Sequence, residues 1–87
     1  MQLYAQNPSI MAASLDDETI LMSTEGNRYF SLNSVGRYIW ESLAEPQTMA
    51  NLVDVIQDNF EVDTVTARQD VEEFLEVLES RNLVAVQ

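Results

Sequence analysis

The chain has no cysteine, no histidine and no lysine. Without cysteine there are no disulfides and no thiolate chemistry. Without histidine, the commonest metal ligand and the commonest general base are both missing. The four basic residues are all Arg and stand against 15 acidic ones, for a net charge of −11. Nucleic-acid phosphates and anionic lipid surfaces need a cationic partner surface, so both are disfavoured. No apolar run approaches the ~18 residues of a membrane span. The N-terminus lacks a basic region followed by an apolar run, so no signal peptide is expected and a cytoplasmic protein is. The carboxylate pairs Asp16-Asp17 and Glu72-Glu73 have no companion ligand, and helix neighbours point apart. No catalytic residue, metal or cofactor is therefore expected.

What is present is a foldable pattern. Hydrophobic residues make up 46% of the 87, which argues against disorder. Such a length supports one domain, residues 1–87, with a modest core and no large pocket. Residues 1–9 are weakly patterned, hold Pro8, and read as a loose or extended lead-in.

Ile10 to Leu15 and Glu18 to Ser23 read as strands, separated by the turn signal Asp16-Asp17. Thr24 to Asn27 reads as a second turn, with Gly26 free to take positive φ. Arg28 to Leu32 is then a third strand, and such short connections imply an antiparallel meander. At Asn33, a good helix N-cap, the period changes from two to about 3.6. A first helix runs from there to roughly Ala44, where Pro46 forbids continuation. Thr48 caps a second helix with Met49, Leu52, Val53, Ile56 and Phe60. Asp63 caps a third with Val65, Val71, Phe74, Leu75 and Leu78. Asn82 can take the left-handed conformation that ends a helix. Leu83 to Val86 is apolar and β-prone, suited to packing back or adding a short strand. The fold class is α+β: a three-stranded antiparallel meander followed by three helices, close to a winged helix-turn-helix.

The candidate site is an edge. The last strand of a meander carries unpaired N–H and C=O groups that a peptide backbone can satisfy. Along Arg28, Tyr29, Phe30, Ser31 and Leu32, alternation sends Phe30 and Leu32 to the core and Tyr29 and Ser31 outward. On the third helix, a stripe of Asp70, Glu73, Phe74, Val77 and Arg81 runs beside the core stripe. Val77, an apolar residue among charges, is its informative member and fits one wall of an apolar slot. Trp40 sits at core spacing, and Gly36 suits close packing of helix on sheet or an uncrowded first turn.

The order Gly26-Asn27-Arg28-Tyr29-Phe30-Ser31-Leu32-Asn33, then Gly36 and Ile39-Trp40, then Asp70-Val71-x-x-Phe74-Leu75-x-x-Leu78 and Leu83-Val84, resembles the PqqD family. The resemblance covers about Ile10 to Val86. It implies a small non-catalytic domain that recognises the leader of a ribosomally made precursor peptide. It is most similar to the freestanding leader-binding proteins of lasso-peptide pathways. The implied partners are an extended leader, a leader peptidase of cysteine-protease type and a cyclase. Leaders in such systems commonly carry Tyr-x-x-Pro, which suits an apolar slot. The leader would pair antiparallel with Arg28 to Leu32, and Asp70 matches a family position. The acidity of the domain favours a basic leader. Asn82 stands where the family usually has Gly, and Asn51 where an acidic capping residue is common.

Two other function classes fit the inventory. A winged-helix DNA-binding regulator would read DNA with the third helix, whose Asp70, Glu72, Glu73, Glu76 and Glu79 oppose phosphate contact. A non-catalytic structural subunit of an enzyme complex would bind a folded surface instead of an extended leader.

Overall fold

Three side chains fix where the helices begin. Asn33, Thr48 and Asp63 hold extended backbone and accept a hydrogen bond from the N–H three residues on. The distances are 2.8 Å from Gly36, 3.2 Å from Asn51 and 2.7 Å from Thr66. They open α1 (Ser34–Ser42), α2 (Met49–Asn59) and α3 (Thr64–Ser80). Helix α3 ends in a Schellman motif. Asn82 takes φ 58°, its N–H donates to Glu79 O at 3.1 Å, and Leu83 N–H donates to Leu78 O at 2.8 Å. A left-handed Asn does the work usually given to Gly. Helix α1 stops at Ser42, short of Ala44, because Leu43 already leaves helical geometry as the C-cap.

The computed structural model describes residues 2–16, 18–23 and 29–87. The expected turn at 24–27, with Gly26, and the expected site residue Arg28 lie outside them. The strands are β1 (Tyr4–Gln6), β2 (Ile10–Leu15), β3 (Glu18–Ser23), β4 (Tyr29–Leu32) and β5 (Val84–Val86). Strands β2, β3 and β4 form the antiparallel meander, in that order. Asp16, with φ 55°, begins the β2–β3 turn, as a tight hairpin requires.

The lead-in is not loose. Strand β1 pairs antiparallel with β5, Tyr4 opposite Val86. It is also tied to the α1–α2 connection: Tyr4 and Gln47 exchange backbone bonds at 2.8 Å each way, and Gln6 N–H donates to Leu43 O at 2.8 Å. The Gln6 amide adds a 2.7 Å bond to Trp40 O. With its backbone groups so satisfied, Tyr4 is buried in the core. The β-prone C-terminus thus becomes a strand, and its partner is the other end of the chain.

The core joins Leu21 and Leu32 from the meander, Ile39, Trp40 and Leu43 from the α1 region, Leu52 and Ile56 from α2, and Val71, Leu75 and Leu78 from α3. Val65, expected among the apolar set of α3, is 69% exposed. It sits about 200° round the helix from the buried Ala67. Thr19 is buried among these side chains, and its hydroxyl has no hydrogen-bond partner among the described residues.

Candidate functional site

Strand β4 ends the sheet order, so its outer side has no strand partner among the described residues. Its register against β3 sets Tyr29 opposite Met22, Phe30 opposite Leu21 and Leu32 opposite Thr19. Alternation follows the expectation. Leu32 is buried and Phe30 half-buried, while Ser31 is exposed and Tyr29 is 69% exposed. Tyr29 shares the outer face of the sheet with Met11 and Met22 in the same register row, and Leu15 is exposed further along β2.

Helix α3 forms the opposite wall. The Phe30 and Phe74 rings lie 6.4 Å apart at 48°, a tilted pair that ties strand to helix. Between Phe74 on α3 and the start of α1 opens a groove of about 340 Å³. It is lined by Asn33, Val35, Gly36, Asp70, Glu73, Phe74 and Val77. Gly36 permits a close approach of helix to helix, not of helix to sheet: a Cβ there would stand 3.1 Å from two carbons of the Phe74 ring on α3. Val77 is 37% exposed at the rim, and Asp70 and Glu73 are exposed beside it. The groove therefore has an apolar floor and an acidic lip, and it begins at Asn33, the residue that follows the open strand β4.

The structure thus brings together Asp70, Glu73, Phe74 and Val77 of the expected site. Tyr29 and Phe30 lie at the β4 end of this wall, beside a second cavity. Ser31 faces solvent and Leu32 faces the core. Sequence reasoning missed Asn33 and Val35 as groove lining. Asn33 read only as a helix cap, and the place of both residues at the strand-to-helix junction was the one signal available.

Electrostatics around the groove come from fixed surface charge. Of the α3 arginines, Arg68 pairs with Glu72 at 3.3 Å, and Arg81 stacks over the Phe30 ring at 5.1 Å from its centroid. The Asp63 carboxyl is held below its ordinary value by the Thr66 backbone N–H and then by the Thr66 side chain. Among the described residues no group of three acidic, His or Cys side chains could hold a metal ion. No helix there is long and apolar enough to cross a membrane.

The family model for coenzyme PQQ synthesis protein D (PqqD) matches residues 18–84. The chain belongs to the PqqD family. That match spans β3 through the start of β5, and so contains both walls of the groove. A solved complex of TbiB1 with the TbiA(beta) leader peptide is similar to this PqqD-family chain at 31% identity. It has a TM-score of 0.82 and covers 92% of this chain and 93% of that one. A lasso peptide synthetase B1 complexed with the leader peptide shares the fold at 20% identity and TM-score 0.82, over 94% of this chain and 96% of that one. A search of curated protein sequences gives no match.

Proposed function

We propose that this chain binds the leader segment of a ribosomally synthesised precursor peptide and presents it to a processing enzyme. The carrying observation is the open edge of β4 beside the Phe74–Val77 groove of α3, the two joined by the Phe30–Phe74 ring contact. An extended peptide adds a strand to that edge, antiparallel to β4. Its backbone satisfies the edge, and alternate side chains enter the groove. The similarity to leader-peptide complexes supports this reading. Tyr29, Phe30, Ser31 and Leu32 supply the edge; Asp70, Glu73, Phe74 and Val77 supply the wall. The acidic lip attracts Lys or Arg on the leader and speeds encounter.

The role is non-catalytic and cytoplasmic, with no cofactor. The partner enzyme is a leader peptidase of cysteine-protease type, working beside a cyclase. Presentation needs a second surface that stays open when the groove is filled. The apolar outer face of the sheet, with Met11, Leu15 and Tyr29 exposed, suits that purpose.

Hydrogen exchange with a labelled leader peptide from the cognate precursor tests the reading. Protection should concentrate at Tyr29–Leu32. Protection confined to α2 would refute the strand-addition geometry. Saturable binding of the purified peptidase without any binding of leader would favour the structural-subunit reading.

A further inference from the structure

The described residues hold a second cavity, of about 390 Å³, where the start of β4 meets the end of α3. Its polar lining includes Asn7, Ser9, Tyr29, Arg81 and Asn82, and none of its described lining residues is Asp or Glu. That is unusual in a chain with 15 carboxylates against four arginines. Arg81 makes no ion pair among the described residues, whereas Arg68 on the same helix does. The Arg81 guanidinium lies 5.1 Å over the Phe30 ring. A guanidinium stacked on an aromatic face keeps its N–H fork free at the edge, in the geometry that grips a carboxylate with two bonds.

We propose that Arg81 and this cavity form a subsite for one acidic side chain of the bound leader, C-terminal to the residues held in the groove. The inference rests on the strand-addition reading above. A leader antiparallel to β4 enters opposite Leu32 and leaves past Tyr29, where the cavity opens. Asp70 and Arg81 are eleven positions apart on α3, about 16 Å at helical rise. An extended peptide covers that in roughly five residues. The groove is thus polar end to end. Its Asp70–Glu73 end takes a basic residue, and its Arg81 end takes a carboxylate roughly five residues later. That order of charges fixes both direction and register of a strand that backbone pairing alone would let slip.

The test is panning a phage-displayed library of random linear peptides on the wild-type chain and on Arg81→Glu, each checked for folding by circular dichroism. Wild-type protein should enrich peptides with Asp or Glu C-terminal to their apolar anchors. Arg81→Glu should enrich Lys or Arg at the same place. For the best wild-type peptide, replacing its acidic residue by the amide should weaken binding about tenfold on wild type, in keeping with loss of a charge-assisted bond. The same replacement should change binding little on Arg81→Gln. Equal penalties on both proteins, or pools with the same acidic content, overturn the proposal. If wild type enriches peptides that protect β4 but show no acidic preference, the subsite falls and leader binding stands. If it enriches no peptide at all, both fall.

Discussion

Placing a methyl group on Gly36 tests whether the groove is as tight as its geometry says. A Cβ at this position would lie 3.1 Å from both Cε1 and Cζ of Phe74 and 3.3 Å from Asn33 Oδ1. The ring would have to retreat by a few tenths of an ångström. Its retreat is limited by Phe30, whose ring sits 6.4 Å away on β4. Two terms oppose each other. Ala in place of Gly in a helix interior gains up to about 1 kcal/mol, and less near the helix start, where Gly36 lies. Overpacking a fitted contact costs about 1–3 kcal/mol. The clash therefore wins: Gly36→Ala should cost about 1 kcal/mol and Gly36→Val about 2 kcal/mol. For a chain of this size each kcal/mol lowers Tm by about 4–8 °C.

Thermal and urea unfolding followed by circular dichroism would measure this. Phe74→Leu in the Gly36→Ala background should recover part of the loss, because removing the ring edge removes the clash. Leader affinity should fall in Gly36→Ala as well, since the displaced ring moves into the groove. A Tm for Gly36→Ala above wild type, or strict additivity with Phe74→Leu, would refute the reasoning.

Other perturbations address separate links. Val77→Asp puts a charge under the bound peptide and should weaken leader binding tenfold or more, about 1.4 kcal/mol per decade. It should cost less stability than Leu75→Asp or Leu78→Asp, because Val77 is at the rim and those two are buried; wild-type affinity in fluorescence polarisation would remove it from the site. The depressed titration of Asp63 means its capping stabilisation is present above the ordinary Asp value and is lost as pH falls through the lower folded value. Asp63→Asn keeps a cap acceptor but not that titration, so Tm should fall less steeply on the acid side, and an unchanged acid slope would reject the link. Thr19→Val replaces a buried, unpartnered hydroxyl by a methyl group and should raise stability by about 1 kcal/mol in urea titration. Raising salt should weaken leader binding without abolishing it, because screening acts on the acidic lip but not on strand pairing or apolar contact; binding that vanishes at moderate salt would show charge to be the whole attraction.

The elements legible in the sequence are those whose signals are local. Asn33, Thr48 and Asp63 announce helix starts by side-chain chemistry, and each makes the expected bond. Asn82 announces the end of α3 through its tolerance of positive φ. The wall of the groove was legible too, since Asp70, Glu73, Phe74 and Val77 lie on one face at helical spacing. Strand β1 was not. Tyr4-Ala5-Gln6 is short and carries little pattern, and its pairing partner, β5, lies at the far end of the chain. Local periodicity holds no information about a contact of that separation. Arg81 read as the last member of the α3 stripe, because spacing along a helix cannot reveal an aromatic ring arriving from a strand.

An edge left open for a peptide is also open to another copy of the same chain. Two features bear on that hazard. The described part of β4 is four residues, and a self-paired edge there would gain few hydrogen bonds. The wall beside it carries Asp70 and Glu73 at its lip, in a chain of net charge −11. A second copy approaching edge to edge brings the same lip and the same net charge, and is repelled. On the proposed reading, a basic leader would meet the opposite field and be drawn in. On that reading, the acidity that disfavours nucleic acid and anionic membranes also favours a basic peptide over a second copy at the β4 edge, one of the two edges of the sheet. Reversing the lip with Asp70→Lys and Glu73→Lys should weaken the leader and relax that protection together, whereas a loss of leader binding with no change in self-association would separate the two roles.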